Sequence, residues 1–302
     1  MALHLKPLRE QVIVITGASS GIGLTTARRA AKGGAKVVLA ARDEGALAKI
    51  AGELTRAGAD VAHVAADVGR REDVQRIADM AQQRFGRIDT WVNDAGVSVY
   101  GRLEEVDEED HRRLFETNFW GVVHGSLAAL PELKRHGGAL INIGSVLSDM
   151  AAPLQGMYSA SKHAVKGFTD ALRMELEHEG APVSVTLIKP GAINTPYTEH
   201  AKNYLAKQPA LPPPVYDPEE VAGAILHAAQ HPKRDLFVGS SAKLMSLTAR
   251  GAPGTADRLG RMMYGQQMRD DGRARRSEGL HAPGRGGHMR GDHPGYVMKR
   301  SF

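Results

Sequence analysis

Short apolar runs rich in β-branched residues recur along the chain at 12–15, 36–40, 61–65, 90–92, 139–143, 183–188 and 236–238. Continuous rather than alternating hydrophobicity predicts strands covered on both faces, the habit of a parallel sheet. Between the runs, apolar positions fall three and four apart, as at Leu47, Ile50 and Leu54 and at Val74, Ile77, Ala78 and Ala81. That spacing marks one face of an amphipathic helix. Strand and helix in alternation with short links predict a parallel α/β sheet, helices on both faces, in a single domain.

The rhythm changes toward the C-terminus. From 194 to 217 the chain carries Pro, Tyr and Lys with no period, and a connection of that length predicts a lid or binding loop near 194–216. Its Tyr197, Tyr204 and Leu205 either wall an apolar pocket or pack the loop down. A helix resumes at Pro218 with Asp217 as its cap. Short amphipathic helices broken near Pro253 are expected between 242 and 263. Beyond Gly265 the composition turns to Gly, Arg, His and Asp. Residues 1–264 therefore read as one catalytic-sized domain and 265–302 as a basic tail. Such a tail cannot bury enough apolar surface to offset its ordering entropy, so disorder is expected from about 272 to 302.

Composition narrows the chemistry. The 302 residues include no Cys, which excludes disulfides and thiolate metal sites. No metal site is expected, because His281, His288 and His293 lie in the tail with nothing to fix a ligand geometry. There is no apolar run of about eighteen residues and no apolar signal core at the N-terminus, so no membrane span is expected and the cytoplasm is the default. Nearly all of the formal net charge of +5 sits in the tail, where Arg269, Arg273, Arg275, Arg276, Arg285, Arg290, Lys299 and Arg300 outnumber the acids. A basic Gly-rich tail either touches nucleic acid or an anionic surface or is a solvated extension. No aromatic series accompanies the charge, and no nucleic-acid partner is expected.

Two motifs carry the functional reading. The first run is followed at once by Thr16-Gly17-Ala18-Ser19-Ser20-Gly21-Ile22-Gly23 and then by a helical stretch. Strand, glycine-rich turn and helix N-terminus make a phosphate site, with backbone N–H groups and the helix dipole facing the anion. Far along the chain, Tyr158 and Lys162 stand four apart and share one helix face. A phenol titrates near ~10 and is a poor acid–base group at neutral pH. A fixed ammonium beside it is expected to favour the phenolate and lower that value.

Together with Asn93-Asp94-Ala95-Gly96, Ser145 thirteen residues before Tyr158, and Pro190-Gly191, these motifs resemble the short-chain dehydrogenase/reductase family over residues 12–239. The resemblance implies a doubly wound parallel sheet, the Rossmann fold, of about seven strands. It implies hydride transfer between a nicotinamide dinucleotide and a carbonyl or secondary alcohol. Tyr158 would be the acid–base group, Ser145 a donor to the substrate oxygen, and Lys162 the holder of the nicotinamide ribose. Asn118 would hold a water for proton relay. The cofactor would lie along Gly17, Ser19, Ser20, Gly21, Ile22 and Gly23, with Asp67 and Val68 at the adenine, and Asn93, Ala95 and Gly96 beneath it. Tyr158, Lys162, Pro190, Gly191, Ile193 and Thr195 would surround the nicotinamide half. Asp67 alternatively caps the helix near Arg71. Asp94 departs from the commoner Asn.

The second run ends in Ala41-Arg42-Asp43. An acid at Ala41 would bind the ribose 2′-hydroxyl of NAD, whereas Arg42 offers a planar fork to the 2′-phosphate of NADP. NADP(H) is therefore expected over NAD(H), with Asp43 pulling the other way. A small-molecule substrate and a homodimer or homotetramer complete the expectation. A dinucleotide sensor without turnover and a tail-mediated nucleic-acid binder are the alternatives.

Overall fold

A computed structural model describes residues 3–269, 277 and 279–300. Its centre is a parallel sheet of seven strands: β1 (Val12–Thr16), β2 (Lys36–Ala41), β3 (Val61–Ala65), β4 (Thr90–Asn93), β5 (Gly138–Ile143), β6 (Val183–Pro190) and β7 (Asp235–Val238). The order across the sheet is β7-β6-β5-β4-β1-β2-β3. Each expected run is a strand, extended by one or two residues at most.

The five inner strands are buried on both faces because successive side chains feed two different cores, whereas the edge strands β3 and β7 are half-buried. Ile13 and Ile15 point to one layer, with Leu24 of α1 (Gly21–Lys32), Leu47 and Ile50 of α2 (Glu44–Arg56) and Ile225 of α8 (Pro218–Ala228). Val14 points to the other, with Ile77 of α3 (Arg71–Phe85), Leu133 of α5 (Gly121–His136) and Leu172 of α6 (Gly156–His178). Period-two alternation thus turns one apolar run into two packed layers. β1 pairs with both β2 and β4, so chain order reverses there and a crevice opens at the strand ends.

In the helix after β4 a single π turn at Glu116–Trp120 joins α4 (Glu108–Phe115) to α5. Asp217 caps α8 by accepting from the Glu219 N–H at 3.0 Å, as its sequence context predicts. Asp67 does not cap α3. Its carboxylate accepts from Gly69 N–H at 3.0 Å and pairs with Arg113, while Arg70 occupies the cap position.

The segment expected as a lid is tied down at several points. It holds the short α7 (Tyr197–His200) and pairs Lys202 and Asn203 with Val99 and Tyr100. Tyr204 packs the loop down, its hydroxyl 2.7 Å from Asp110 Oδ2; Tyr197 instead faces the crevice. α9 (Ser240–Gly251) and α10 (Pro253–Met262) break at Pro253 as expected.

The tail expectation needs correction. Residues 270–276, 278 and 301–302 lie outside the described residues, but 279–300 follow a definite course over the domain. Leu280 is fully buried beside Val97, Val99 and Leu114, and Val297 and Met298 add a short parallel strand to Val215 and Tyr216. The segment builds no core of its own, but it borrows one. Among the described residues no helix is long and apolar enough to cross a membrane.

Candidate active site

The C-terminal ends of β1, β2, β4, β5 and β6 open into one cavity of about 290 Å³. At one end it is lined by Ala41, Arg42, Ala66 and Val68; at the other by Ser145, Tyr158 and Tyr197. Between them runs the glycine-rich turn. Gly17 has φ +72°, and a Cβ there would stand 2.9 Å from the Ala95 backbone. Only glycine allows the turn and that approach together. Thr16 closes the arrangement, its hydroxyl accepting from the N–H groups of Asp94 and Ala95 at 3.1 and 3.2 Å.

Tyr158 and Lys162 sit one turn apart near the start of α6. The Lys162 ammonium lies 5.6 Å from the centre of the Tyr158 ring and donates to the Ile143 carbonyl at 2.8 Å. Ser145 ends the loop after β5 and accepts from Leu147 N–H at 3.1 Å, while Ser148 Oγ takes up its own N–H. Two reciprocal bonds fix this side chain before any ligand arrives. Tyr197 packs edge-on against Tyr158, ring centres 5.5 Å apart, its hydroxyl 2.8 Å from both Ser98 Oγ and Gln155 Oε1.

Burial governs the electrostatics. It pushes the Tyr158 phenol up to about 12, hydrogen bonds with Tyr197 and Ser145 pulling the other way and the Asp94 charge adding to the rise. The expected lowering by Lys162 is therefore not what the folded chain displays. The Lys162 value itself falls to about 8 through burial, with Asp94 opposing. Burial likewise raises the Asp94 carboxyl to about 7, against the Lys162 charge and the Gly23 N–H. The buried Asp94 carboxyl and Lys162 ammonium thus influence one another, each opposing the shift that burial imposes on the other.

Most expected residues line this cavity: Gly17, Ser19, Ser20, Gly21, Ile22, Arg42, Asp67, Val68, Ala95, Gly96, Ser145, Tyr158, Lys162, Pro190, Gly191, Ile193 and Thr195. Three do not. Gly23 lies behind the turn, where a Cβ would meet the Gly17 carbonyl at 2.4 Å. Asn93 faces away from the crevice and is spent on the sheet: Nδ2 donates to Asn142 Oδ1 at 2.9 Å and Oδ1 accepts from Trp91 Nε1 at 2.8 Å. Asn118 is fully buried, its amide clamping Val97 through N–H and C=O at 2.8 and 2.9 Å. Its side chain positions the loop after β4.

The family model described as short chain dehydrogenase matches residues 11–205. The chain belongs to the short-chain dehydrogenase family. An uncharacterized oxidoreductase, YxnA, of Bacillus subtilis (strain 168) is 51% identical over 99% of this chain and 86% of its own length. An 11-beta-hydroxysteroid dehydrogenase A of Sesamum indicum is 40% identical over 63% of this chain and 54% of its own. Among solved structures, a short-chain dehydrogenase/reductase of Burkholderia phymatum in complex with NAD superposes with TM-score 0.71 at 29% identity, covering 88% of this chain and 98% of that one. An alcohol dehydrogenase of Thermococcus sibiricus complexed with 5-hydroxy-NADP gives 0.67 at 31%, covering 76% and 95%.

Sequence reasoning missed several residues of this dehydrogenase-family site. Gln155 and Ser98 hold Tyr197, and Gln155 is itself locked to Gln267 at 2.7 Å. Nothing local marks them, because the contacts span 42 to 112 positions. Gly279, Pro283 and Gly284 of the tail also line the cavity.

Proposed function

We propose that the chain is an NAD(P)-dependent oxidoreductase moving a hydride between NADP(H), preferred over NAD(H), and a carbonyl or secondary alcohol, with Tyr158 as general acid and base. The observation that carries this reading is the enclosed Tyr158, beside Ser145 and Tyr197 in a cavity that is also lined by the glycine turn. The residues fit a dinucleotide: an apolar slot at Ala66 and Val68, close backbone approach at Gly17, and polar groups at the far end. The two solved relatives carry NAD and an NADP derivative, which supports the cofactor class. Ala41 in place of an acid, and Arg42 on the cavity wall, favour the phosphorylated form, for which Arg42 would exchange the uncharged Gly279 and Leu280 carbonyls it holds.

A reduced nicotinamide bound in this cavity would supply the hydride for the carbonyl carbon. Ser145 and Tyr158 meet the oxygen on which negative charge develops, and Tyr158 passes its proton there. A phenol at about 12 is fully protonated at neutral pH and still far more acidic than an alcohol, so the transfer runs downhill. Lys162 would hold the ribose and keep positive charge close to Tyr158. Val97, Val146, Leu147, Ile193 and Leu211 wall the space beside Tyr158, which suits an apolar ketone over a charged sugar. Exposed Trp120 at the end of the π turn, Leu127 on α5 and Met174 on α6 support association of copies through those helices, as a homodimer or homotetramer. Tail contact with nucleic acid is disfavoured because Arg290 is committed to Asp217 and Arg269 to Asp292.

The test is a panel of ketones and secondary alcohols followed at the nicotinamide absorbance band, in the native chain and in Tyr158→Phe. Turnover is expected to fall at least ~10²-fold in the variant, with cofactor affinity nearly unchanged. Tight cofactor binding without turnover on any substrate would favour a sensor instead, and equal turnover in both proteins would remove Tyr158 from the chemistry.

A further inference from the structure

Resting on the dinucleotide reading, the geometry points to the tail segment 279–290 as a part of the cofactor site: a strap that roofs the adenosine and pyrophosphate half and sets how fast the dinucleotide leaves. Gly279, Pro283 and Gly284 line the same cavity as Arg42 and Val68, so the strap forms part of its wall. It is bonded to the very residues that would hold the nucleotide. Arg42 donates to the carbonyls of Gly279 and Leu280 at 2.6 and 2.9 Å. The glycine turn exchanges two bonds with it, Gly21 N–H to His288 O at 2.9 Å and Gly287 N–H to Ser19 O at 2.8 Å.

Anchors at both ends hold the strap in place. Leu280 inserts into the cluster of Val97, Val99 and Leu114, with His281 Nε2 2.6 Å from Asp110 Oδ1. At the other end, Arg290 grips Asp217 through two bonds of 2.8 and 3.1 Å. The composition of the tail follows from this path. A Cβ on Gly284 would stand 2.7 Å from the His200 imidazole, and one on Gly286 would stand 2.5 Å from Ala46 Cβ. A Cβ on Gly291 would stand 2.4 Å from Thr195 O. The glycines are where the strap lies flush on the domain. A roof bonded to both the phosphate turn and Arg42 must lift for a dinucleotide to enter or leave.

The chain has no Cys, so an engineered pair reports without competition. Ala46→Cys with Gly286→Cys places two thiols at strap and domain, needing a shift of about 1 Å to reach disulfide geometry. The full-length variant is loaded with NADPH, oxidised, and its release followed by stopped-flow fluorescence against excess NADP. Release is expected at least tenfold slower than in the same sample after dithiothreitol. Leu280→Ser with Arg290→Ala, which frees both anchors, is expected to speed release at least tenfold. Equal release rates in oxidised, reduced and anchor-free proteins would overturn the strap while leaving the dinucleotide reading intact. Failure of the native chain to bind either NADPH or NADH would overturn the dinucleotide reading, and the strap with it.

Discussion

Asp149→Ala tests what holds the candidate active-site loop in place. Lys189 is fully buried at the end of β6, its ammonium 3.0 Å from Asp149 Oδ2 and 4.3 Å over the Phe237 ring. Asp149, also buried, accepts from Ser246 Oγ at 2.6 Å and from Arg250 at 3.0 Å. One carboxylate therefore joins the segment after Ser145 to β6, just before Pro190, and to α9. Removing it strands the lysine charge against an aromatic face, a loss of about 3–5 kcal/mol. With unfolding entropy of about 2.1 cal/mol/K per residue, a chain of this length loses about 5–8 °C in Tm.

Calorimetry measures that shift, and the double variant Asp149→Leu/Lys189→Met should recover most of it, because no unpaired charge remains. Acid supplies a second check. Burial alone would raise Asp149, but its bonds from Ser246, Lys189 and Arg250 hold it at about 2. A depressed carboxyl contributes stability that is complete above its unfolded value of about 3.9 and is lost as pH falls through about 2. The gap between native and Asp149→Ala proteins should therefore narrow only in strong acid. A Tm change under about 2 °C, or a double variant as unstable as the single one, would refute the reasoning.

Other consequences are equally direct. Carbonyl reduction should be level below about pH 8 and fall above it as Lys162 loses its proton, whereas alcohol oxidation should climb up to tenfold per unit below that point, because it needs the phenolate; matched profiles for the two directions would contradict the assigned acid and base. Arg42→Asp should move the NADP-to-NAD preference toward NAD by at least ~10-fold in kcat/KM, and an unaltered ratio would show that Arg42 reads no phosphate. Asn93→Ala leaves the Trp91 indole N–H without its acceptor and should cost about 1–3 kcal/mol in urea unfolding. The cofactor KM should stay put, and a raised KM at native stability would return Asn93 to the binding surface.

The sheet was legible because each strand is apolar on both sides and each helix carries its own stripe, so local pattern and global layers agree. The chemistry was legible where it depends on spacing within one element: Tyr158 and Lys162 on α6, the glycines between β1 and α1. It failed where a role depends on which way a side chain turns. Asn93 reads as a cofactor residue, yet the β4–β5 register sets it opposite Asn142, and the two amides meet behind the crevice. The phenol was misjudged for a related reason. Four-residue spacing places a charge near a hydroxyl but says nothing of how deeply both are enclosed, and here enclosure outweighs the charge.

The tail is the most instructive case. Weighing its composition asks whether the segment can bury a core by itself, and by that measure disorder is the correct inference. The measure omits surfaces the rest of the chain has already ordered. A crevice rim presenting Arg42, Asp110, Asp217 and the Gly21 N–H meets carbonyls, an imidazole and a guanidinium at the right intervals, so ordering is offset by charge-assisted bonds and one buried leucine. Glycine then changes its meaning, from a sign of flexibility to a requirement for close contact. A basic Gly-rich terminus following a dinucleotide fold is thus to be weighed against the rim of that fold's own crevice before it is set aside as solvated.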